Sequence, residues 1–205
     1  MVDPETGFAL TYNGEIYNYL ELRGQLQSSY SFRTQSDTEV LLAGLQVWGL
    51  KDTLARLKGM FAFVAYSPKS NELWAARDRA GEKPLSYGRV GEDWVFSSDL
   101  RVLKAHPHWE RKVSLKRLSQ YFDYRFVPHP HSLFVGFAKL SPGCCLKMDL
   151  GGDNEPMVET YWSVWEEWSK PKQPISEAEL RETFESVVQR MLTSSDVPVG
   201  CFLSG

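Results

Sequence analysis

At 205 residues, with 42% hydrophobic and 24% charged residues, the chain is long enough to bury a core and ordinary in composition for a soluble globular protein. A formal net charge of −3 with no basic run to neutralise phosphates excludes nucleic acid as an electrostatic partner. No apolar segment approaches the roughly 18 residues that span a bilayer, and Met1-Val2-Asp3-Pro4-Glu5 lacks the basic and apolar regions of a signal peptide, so no membrane partner and a cytoplasmic location are expected.

In chain order, Phe8 to Tyr12 reads as a strand and leads into Asn13-Gly14-Glu15. Asn-Gly is the commonest two-residue hairpin signal. Against a hairpin, Ile16, Tyr19, Leu20, Leu22, Arg23 and Leu26 recur at helical spacing, so the pattern predicts strand, irregular loop, then helix to Gln27. Two roles stay open for Asn13-Gly14: a tight turn, or a side-chain amide and a backbone N–H aimed together at one external oxygen, as donors surround a developing oxyanion.

Tyr30 to Thr34 alternates as a short strand, and Ser36 with Glu39 forms a capping box for a helix over Thr38 to Trp48. Asp37 is then either a helix N-terminal charge, worth a few tenths to ~1 kcal/mol, or a carboxylate displayed for a ligand ammonium. A short helix around Leu54 and Leu57 stops at Gly59. Met60 to Tyr66 follows as a continuous apolar core strand, and Glu72 to Asp78 returns antiparallel to it. Gly81, Pro84 and Gly88 mark a loop, Trp94 to Ser97 another strand, Asp99 an N-cap for Leu100 to Ala105, and Ser114 the start of a helix to Tyr124. Short strands and Pro/Gly turns fill Phe126 to Met148.

Asp149 to Pro174, carrying Trp162, Trp165 and Trp168, reads as loop and linker whose aromatics pack against its two domains. Ser176 and Glu179 repeat the capping box before a helix with Leu180, Phe184, Val187, Val188, Met191 and Leu192 on one face. Val197 to Leu203 reads as a buried strand opening an α/β unit, and Ser204-Gly205 follows. A strand arriving seven residues from one end and a fresh strand edge at the other suggest a piece of a longer protein. Cys144, Cys145 and Cys201 have no metal-ligand spacing and read as buried small hydrophobes of a reducing compartment. The four histidines sit in Pro-rich turns, so no metal site is expected.

The motifs in order, Asn13-Gly14-Glu15-Ile16-Tyr17-Asn18, Ser36-Asp37-Thr38-Glu39, Gly59-Met60-Phe61-Ala62-Phe63, Ala76-Arg77-Asp78-Arg79 with Lys83-Pro84-Leu85, and Ser194 to Gly205, resemble glutamine-hydrolysing asparagine synthetase over nearly the whole chain. The resemblance implies an α+β fold: an N-terminal-nucleophile αββα sandwich of two antiparallel sheets between helical layers, then the first helix and strand of an α/β ATP-pyrophosphatase domain. The implied organisation is a glutamine amidotransferase domain over 1–148, loop and linker over 149–174, and the start of the ATP-binding domain over 175–205.

Carried over residue by residue, Asn13 and Gly14 match the oxyanion hole, Glu15 a glutamine-contacting position and Asp37 the carboxylate that holds the substrate ammonium. Phe202, Leu203, Ser204 and Gly205 match the ATP site. Glutamine, aspartate and ATP with Mg2+ are the implied small molecules, and a homodimer is compatible. The family nucleophile is a cysteine at the mature N-terminus whose own amine acts as base, roughly sixty residues ahead of Asn13, a place that none of the three cysteines occupies. The chain alone is therefore expected to be inactive. A phosphoribosyl-pyrophosphate or sugar-phosphate amidotransferase, a β-lactam-forming relative, an amidotransferase of another acceptor such as one in surface polysaccharide synthesis, and a non-catalytic remnant of the scaffold are the alternatives.

Overall fold

The computed structural model describes residues 1–152, 155–194 and 197–203. Contacts divide the chain into one unit of Met1–Gly14 with Met60–Ser163 and a second of Glu15–Gly59 with Val164–Gly205. The strands are β1 (Ala9–Ile16), β2 (Gly59–Ser67), β3 (Glu72–Arg77), β4 (Ser86–Val90), β5 (Asp93–Ser97), β6 (Phe137–Lys139), β7 (Cys144–Asp149) and β8 (Met157–Thr160). They form a sheet of order β1-β2-β3-β7-β8 and a smaller one of order β5-β4-β6. The pairs β2–β3, β3–β7 and β7–β8, like β4–β5 and β4–β6, are antiparallel.

In the first unit the expected hairpin forms, with Ala65 opposite Trp74 and Phe63 opposite Ala76. Ala62, Ala75, Leu146 and Met148 from the larger sheet make one apolar cluster with Leu85 and Leu140, against which Tyr87, Trp94 and Phe96 of the smaller sheet pack. Burying both faces of β2 explains why its sequence runs apolar without alternation: Phe61 and Phe63 are as buried as Ala62. A 3-10 helix over Leu100–Ala105, capped by Asp99 Oδ1 at 2.9 Å from the Arg101 N–H, and α4 (Leu115–Tyr124) complete this unit as expected. Two strands form where none was expected. The segment read as a loop around Gly88 contains β4, because the glycine there admits β6: a Cβ would strike the Gly136 carbonyl oxygen and lie 2.8 Å from the Phe137 ring. The segment read as loop and linker contributes β8, paired with β7 from Cys144–Thr160 to Lys147–Met157.

The second unit holds α1 (Tyr19–Leu26), α2 (Asp37–Val47), α3 (Gly49–Arg56), α5 (Val164–Ser169) and α6 (Glu177–Ser194). α2 contacts both α1 and α3, and its Val40, Leu41, Leu42, Ala43 and Leu45 are all buried. An apolar surface all round marks a helix buried among others rather than one with a single wet face. No strand forms over Tyr30–Thr34. The Arg33 and Thr34 N–H groups donate instead to the Glu39 carboxylate at 2.8 and 2.6 Å, which diverts them from any ladder.

α6 starts at the expected box, Ser176 N donating to Glu179 Oε2 at 2.7 Å and Glu179 N to Ser176 Oγ at 3.2 Å. Its apolar face from Leu180 to Leu192 is exposed, and Trp165 and Trp168 are exposed too, so these tryptophans do not pack as the linker pattern suggested. The strand expected over Val197 to Leu203 is not formed, and Phe202 and Leu203 stand fully in solvent. An isolated strand without a pairing neighbour has no ladder to hold it. Cys144 and Cys145 are buried as expected, whereas Cys201 is exposed.

Candidate functional site

Asn13 and Gly14 lie inside β1 rather than in an irregular loop, so the strand runs four residues further than its apolar pattern suggested. The reason is close backbone contact. A Cβ on Gly14 would collide with the Met60 carbonyl oxygen and come within 2.7 Å of Phe61 Cα. A Cβ on Gly59 would collide in the same way with the Glu15 carbonyl oxygen and come within 2.9 Å of Ile16 Cα. Glycine at both places lets β1 and β2 meet where any larger residue would part them. The hairpin-turn role for Asn13-Gly14 falls away, because strand continues on both sides of the step. Asn13 is exposed, and its Nδ2 donates to Ser98 Oγ at 3.2 Å.

Glu15 and Asp37 belong to the second unit. Asp37 opens α2, with Ser36 as N-cap accepting from Glu39 N at 3.2 Å. Its Oδ2 accepts the Ile16 N–H at 3.1 Å and its Oδ1 the Thr38 hydroxyl at 3.3 Å, so the carboxylate is oriented by the residue that follows Glu15. Glu15 Oε1 accepts the Ser194 hydroxyl at 2.7 Å, from the last residue of α6. Both roles that the sequence left open for Asp37 are compatible with this position at a helix start.

Asn18, which sequence reasoning gave no role of its own, and Glu39, read there only as a capping-box partner, hold these elements. Asn18 is buried; its Oδ1 accepts Lys58 N at 2.9 Å while its Nδ2 donates to Arg56 O at 3.1 Å, and Tyr17 N donates to Lys58 O at 2.8 Å. It is a clamp between the end of β1 and the end of α3. Glu39, 3% exposed, accepts Thr34 Oγ1 at 2.7 Å besides the two backbone N–H groups, so its half of the capping box reaches back past Ser36. Burial pushes the Glu39 carboxyl up, but the bonds from Arg33 and Thr34, with the charge of Arg23, outweigh it and hold the group below its ordinary value.

Arg77 and Asp78 organise the loop that carries Gly81 to Leu85. Arg77 donates through Nε to Lys83 O at 2.8 Å, through Nη1 to Leu140 O at 2.9 Å and through Nη2 to Gly81 O at 2.6 Å. Burial draws its guanidinium below the ordinary value, against the opposing pull of Asp78. The signal for such clamps is weak in a sequence, because the partners are backbone groups that any residue supplies.

For the expected ATP positions, Phe202 and Leu203 are exposed outside any strand, and Ser204 and Gly205 lie outside the described residues. No group of three or more His, Cys, Asp or Glu side chains among the described residues could hold a metal ion. Among the described residues no helix is long and apolar enough to cross a membrane.

Comparison with known proteins places this geometry. The glutamine amidotransferase domain family matches residues 1–162. Asparagine synthetase [glutamine-hydrolyzing] 3 of Bacillus subtilis is 36% identical over 97% of this chain and 32% of its own length. Asparagine synthetase [glutamine-hydrolyzing] 1 of the same organism is 34% identical over 96% and 30%, and a putative asparagine synthetase [glutamine-hydrolyzing] 2 of Methanocaldococcus jannaschii 34% over 96% and 38%. The chain thus spans about a third of the length of these relatives. Among solved structures, glutamine phosphoribosylpyrophosphate amidotransferase from B. subtilis superposes with a TM-score of 0.54 at 24% identity, covering 78% of this chain and 30% of that one. This places the two antiparallel sheets in the N-terminal-nucleophile amidotransferase fold. With a family match across residues 1–162, the chain belongs to the glutamine amidotransferase domain family.

Proposed function

We propose that this chain is the greater part of the glutamine-hydrolysing domain, with the beginning of the ATP-binding domain, of a cytoplasmic asparagine synthetase that moves the amide nitrogen of glutamine to aspartate through an aspartyl-adenylate. The observation that carries this choice is the extent of the similarity. Likeness to the phosphoribosylpyrophosphate amidotransferase covers 78% of the chain, whereas similarity to the synthetases covers 97% and so takes in much of the sequence beyond residue 162.

The chemistry supports these roles. Attack on a carboxamide carbon places negative charge on its oxygen, and each preorganised donor to that oxyanion is worth about 3 to 4 kcal/mol. Asn13 Nδ2 and the Gly14 N–H are the donors. Asp37 holds the α-ammonium of glutamine through a charge-assisted bond, and Glu15 lies beside the substrate. The nucleophilic thiolate comes from outside these 205 residues, since Cys144 and Cys145 are buried in β7 and Cys201 stands on the exposed terminal stretch. Phe202, Leu203, Ser204 and Gly205 open the loop for ATP with Mg2+, whose backbone N–H groups suit a polyphosphate.

The test is kinetic, on the product of the complete reading frame that contains this chain. Asp37→Ala raises the glutamine KM strongly while ammonia-dependent asparagine formation survives. Equal loss with both nitrogen donors refutes the role of Asp37, and a wild-type protein that forms no asparagine from ATP, aspartate and ammonia refutes the synthetase assignment.

A further inference from the structure

We propose that Ser98 is the positioning residue that sets the oxyanion donor: its hydroxyl takes one hydrogen of the Asn13 carboxamide and leaves the second for the reacting oxygen. The inference rests on Asn13 and Gly14 being the oxyanion donors of the proposed function.

A carboxamide has an accepting end and a donating end of nearly equal shape. Turned by half a rotation, Asn13 would present oxygen to the oxyanion and repel it. Its side chain is exposed, so packing does little to choose between the two orientations. A hydroxyl can serve either end of an amide; here Ser98 Oγ accepts from Asn13 Nδ2, 3.2 Å across 85 positions of sequence, and so holds the NH2 end of the carboxamide in place. One amide hydrogen is used and the other stays available.

Ser98 itself is held. Ser97 Oγ donates to Asp99 O at 2.8 Å and accepts Asp99 N at 3.0 Å, closing a turn around Ser98 between β5 and the 3-10 helix. Asp99 is tied onward to Arg101 N at 2.9 Å. The Ser98 hydroxyl, accepting from Asn13, keeps its own proton to donate, and it lines a cavity of about 260 Å3 with Ser86, Asp99 and Lys139. A donor oriented before the reaction needs no reorganisation when charge develops, which is where oxyanion holes gain their effect.

Ser98 could instead merely tie β1 to the β5 turn, and kinetics separate the two roles. In the complete protein, Ser98→Ala lowers kcat for glutamine hydrolysis about tenfold with the glutamine KM within about twofold, the signature of a lost transition-state interaction. Ser98→Thr, which keeps the hydroxyl, restores kcat, and ammonia-dependent synthesis is unchanged in both variants. In the 205-residue chain, the side-chain amide protons of Asn13 shift in the NMR spectrum of Ser98→Ala. Unchanged kcat or an unchanged Asn13 amide signal in Ser98→Ala, in a protein where Asn13→Ala loses about a hundredfold or more, overturns the role of Ser98 alone. Unchanged kcat in Asn13→Ala overturns the oxyanion assignment and the inference together.

Discussion

Phe61 and Asp78 hold each other twice: Asp78 N donates to Phe61 O at 2.8 Å, and Phe61 N donates back to Asp78 Oδ2 at 3.2 Å. The same buried carboxylate takes the Glu82 and Lys83 N–H groups at 2.9 and 3.0 Å. Asp78→Ala would take the carboxylate from three N–H donors, that of Phe61 in the interior, and is expected to cost about 3 to 5 kcal/mol, read from urea unfolding. Asp78→Asn keeps one accepting oxygen but sets two N–H groups against the same donors, and should fall between wild type and Asp78→Ala. A loss under about 1 kcal/mol for Asp78→Ala would show that water serves these donors as well as the carboxylate does.

Two glycine-to-alanine changes should move stability in opposite directions. At Gly14 the new methyl collides with the Met60 carbonyl oxygen, so the strands must part, and a loss of about 3 kcal/mol is expected. At Gly24, within α1 and with nothing within 4 Å of the place a methyl would take, alanine should stabilise by about 0.5 to 1 kcal/mol through helix propensity. Melting temperatures of the two variants check the pair; a destabilised Gly24→Ala would contradict the open space around it.

Glu39 carries a pH dependence. Its folded carboxyl titrates below the ordinary value of 4.5, so its contribution is fully present above that pH and is lost as pH falls through the folded value. The stability gap between wild type and Glu39→Gln should therefore be constant from neutral pH down to about 5 and close under more acid conditions. A gap that widens on acidification would mean that burial outweighs the bonds from Arg33 and Thr34 and raises the folded carboxyl.

Thiol accessibility gives a labelling test. Cys201 is exposed while Cys144 and Cys145 are buried in β7, so a thiol reagent should modify one cysteine per native chain and three after denaturation. Fast modification of all three in the native protein would mean that β7 opens readily.

Local signals were legible where both partners lie within a turn of sequence. The Ser176–Glu179 box, the Asp99 cap and the hairpin of β2 with β3 all form where the pattern put them. The pattern failed where a group outside the segment decides. Tyr30–Thr34 looks like a strand until Glu39 takes its N–H groups, and Gly88 looks like a turn until Phe137 is found against it. At the candidate site, Asn13-Gly14 was visible as a pair of donors, but the strand around it was not, because the clearance at Gly14 and Gly59 exists only when β1 meets β2. Asn18 and Ser98 were invisible as supports, their partners lying 40 and 85 positions away.

The larger sheet places β7 beside β3, with Cys145 opposite Ala76, although the whole smaller sheet lies between them in sequence. Folding must therefore close a loop of about seventy residues before the central ladder is complete, and that entropy is spent before the contacts of β7 can return it. β2 with β3 and β4 with β5 are hairpins of neighbouring segments and can zip early, whereas β7 docks late and β8 after it. Refolding should be slow and rate-limited by this closure, so that mutations in β7 chiefly alter the unfolding rate and leave the early hairpins kinetically untouched.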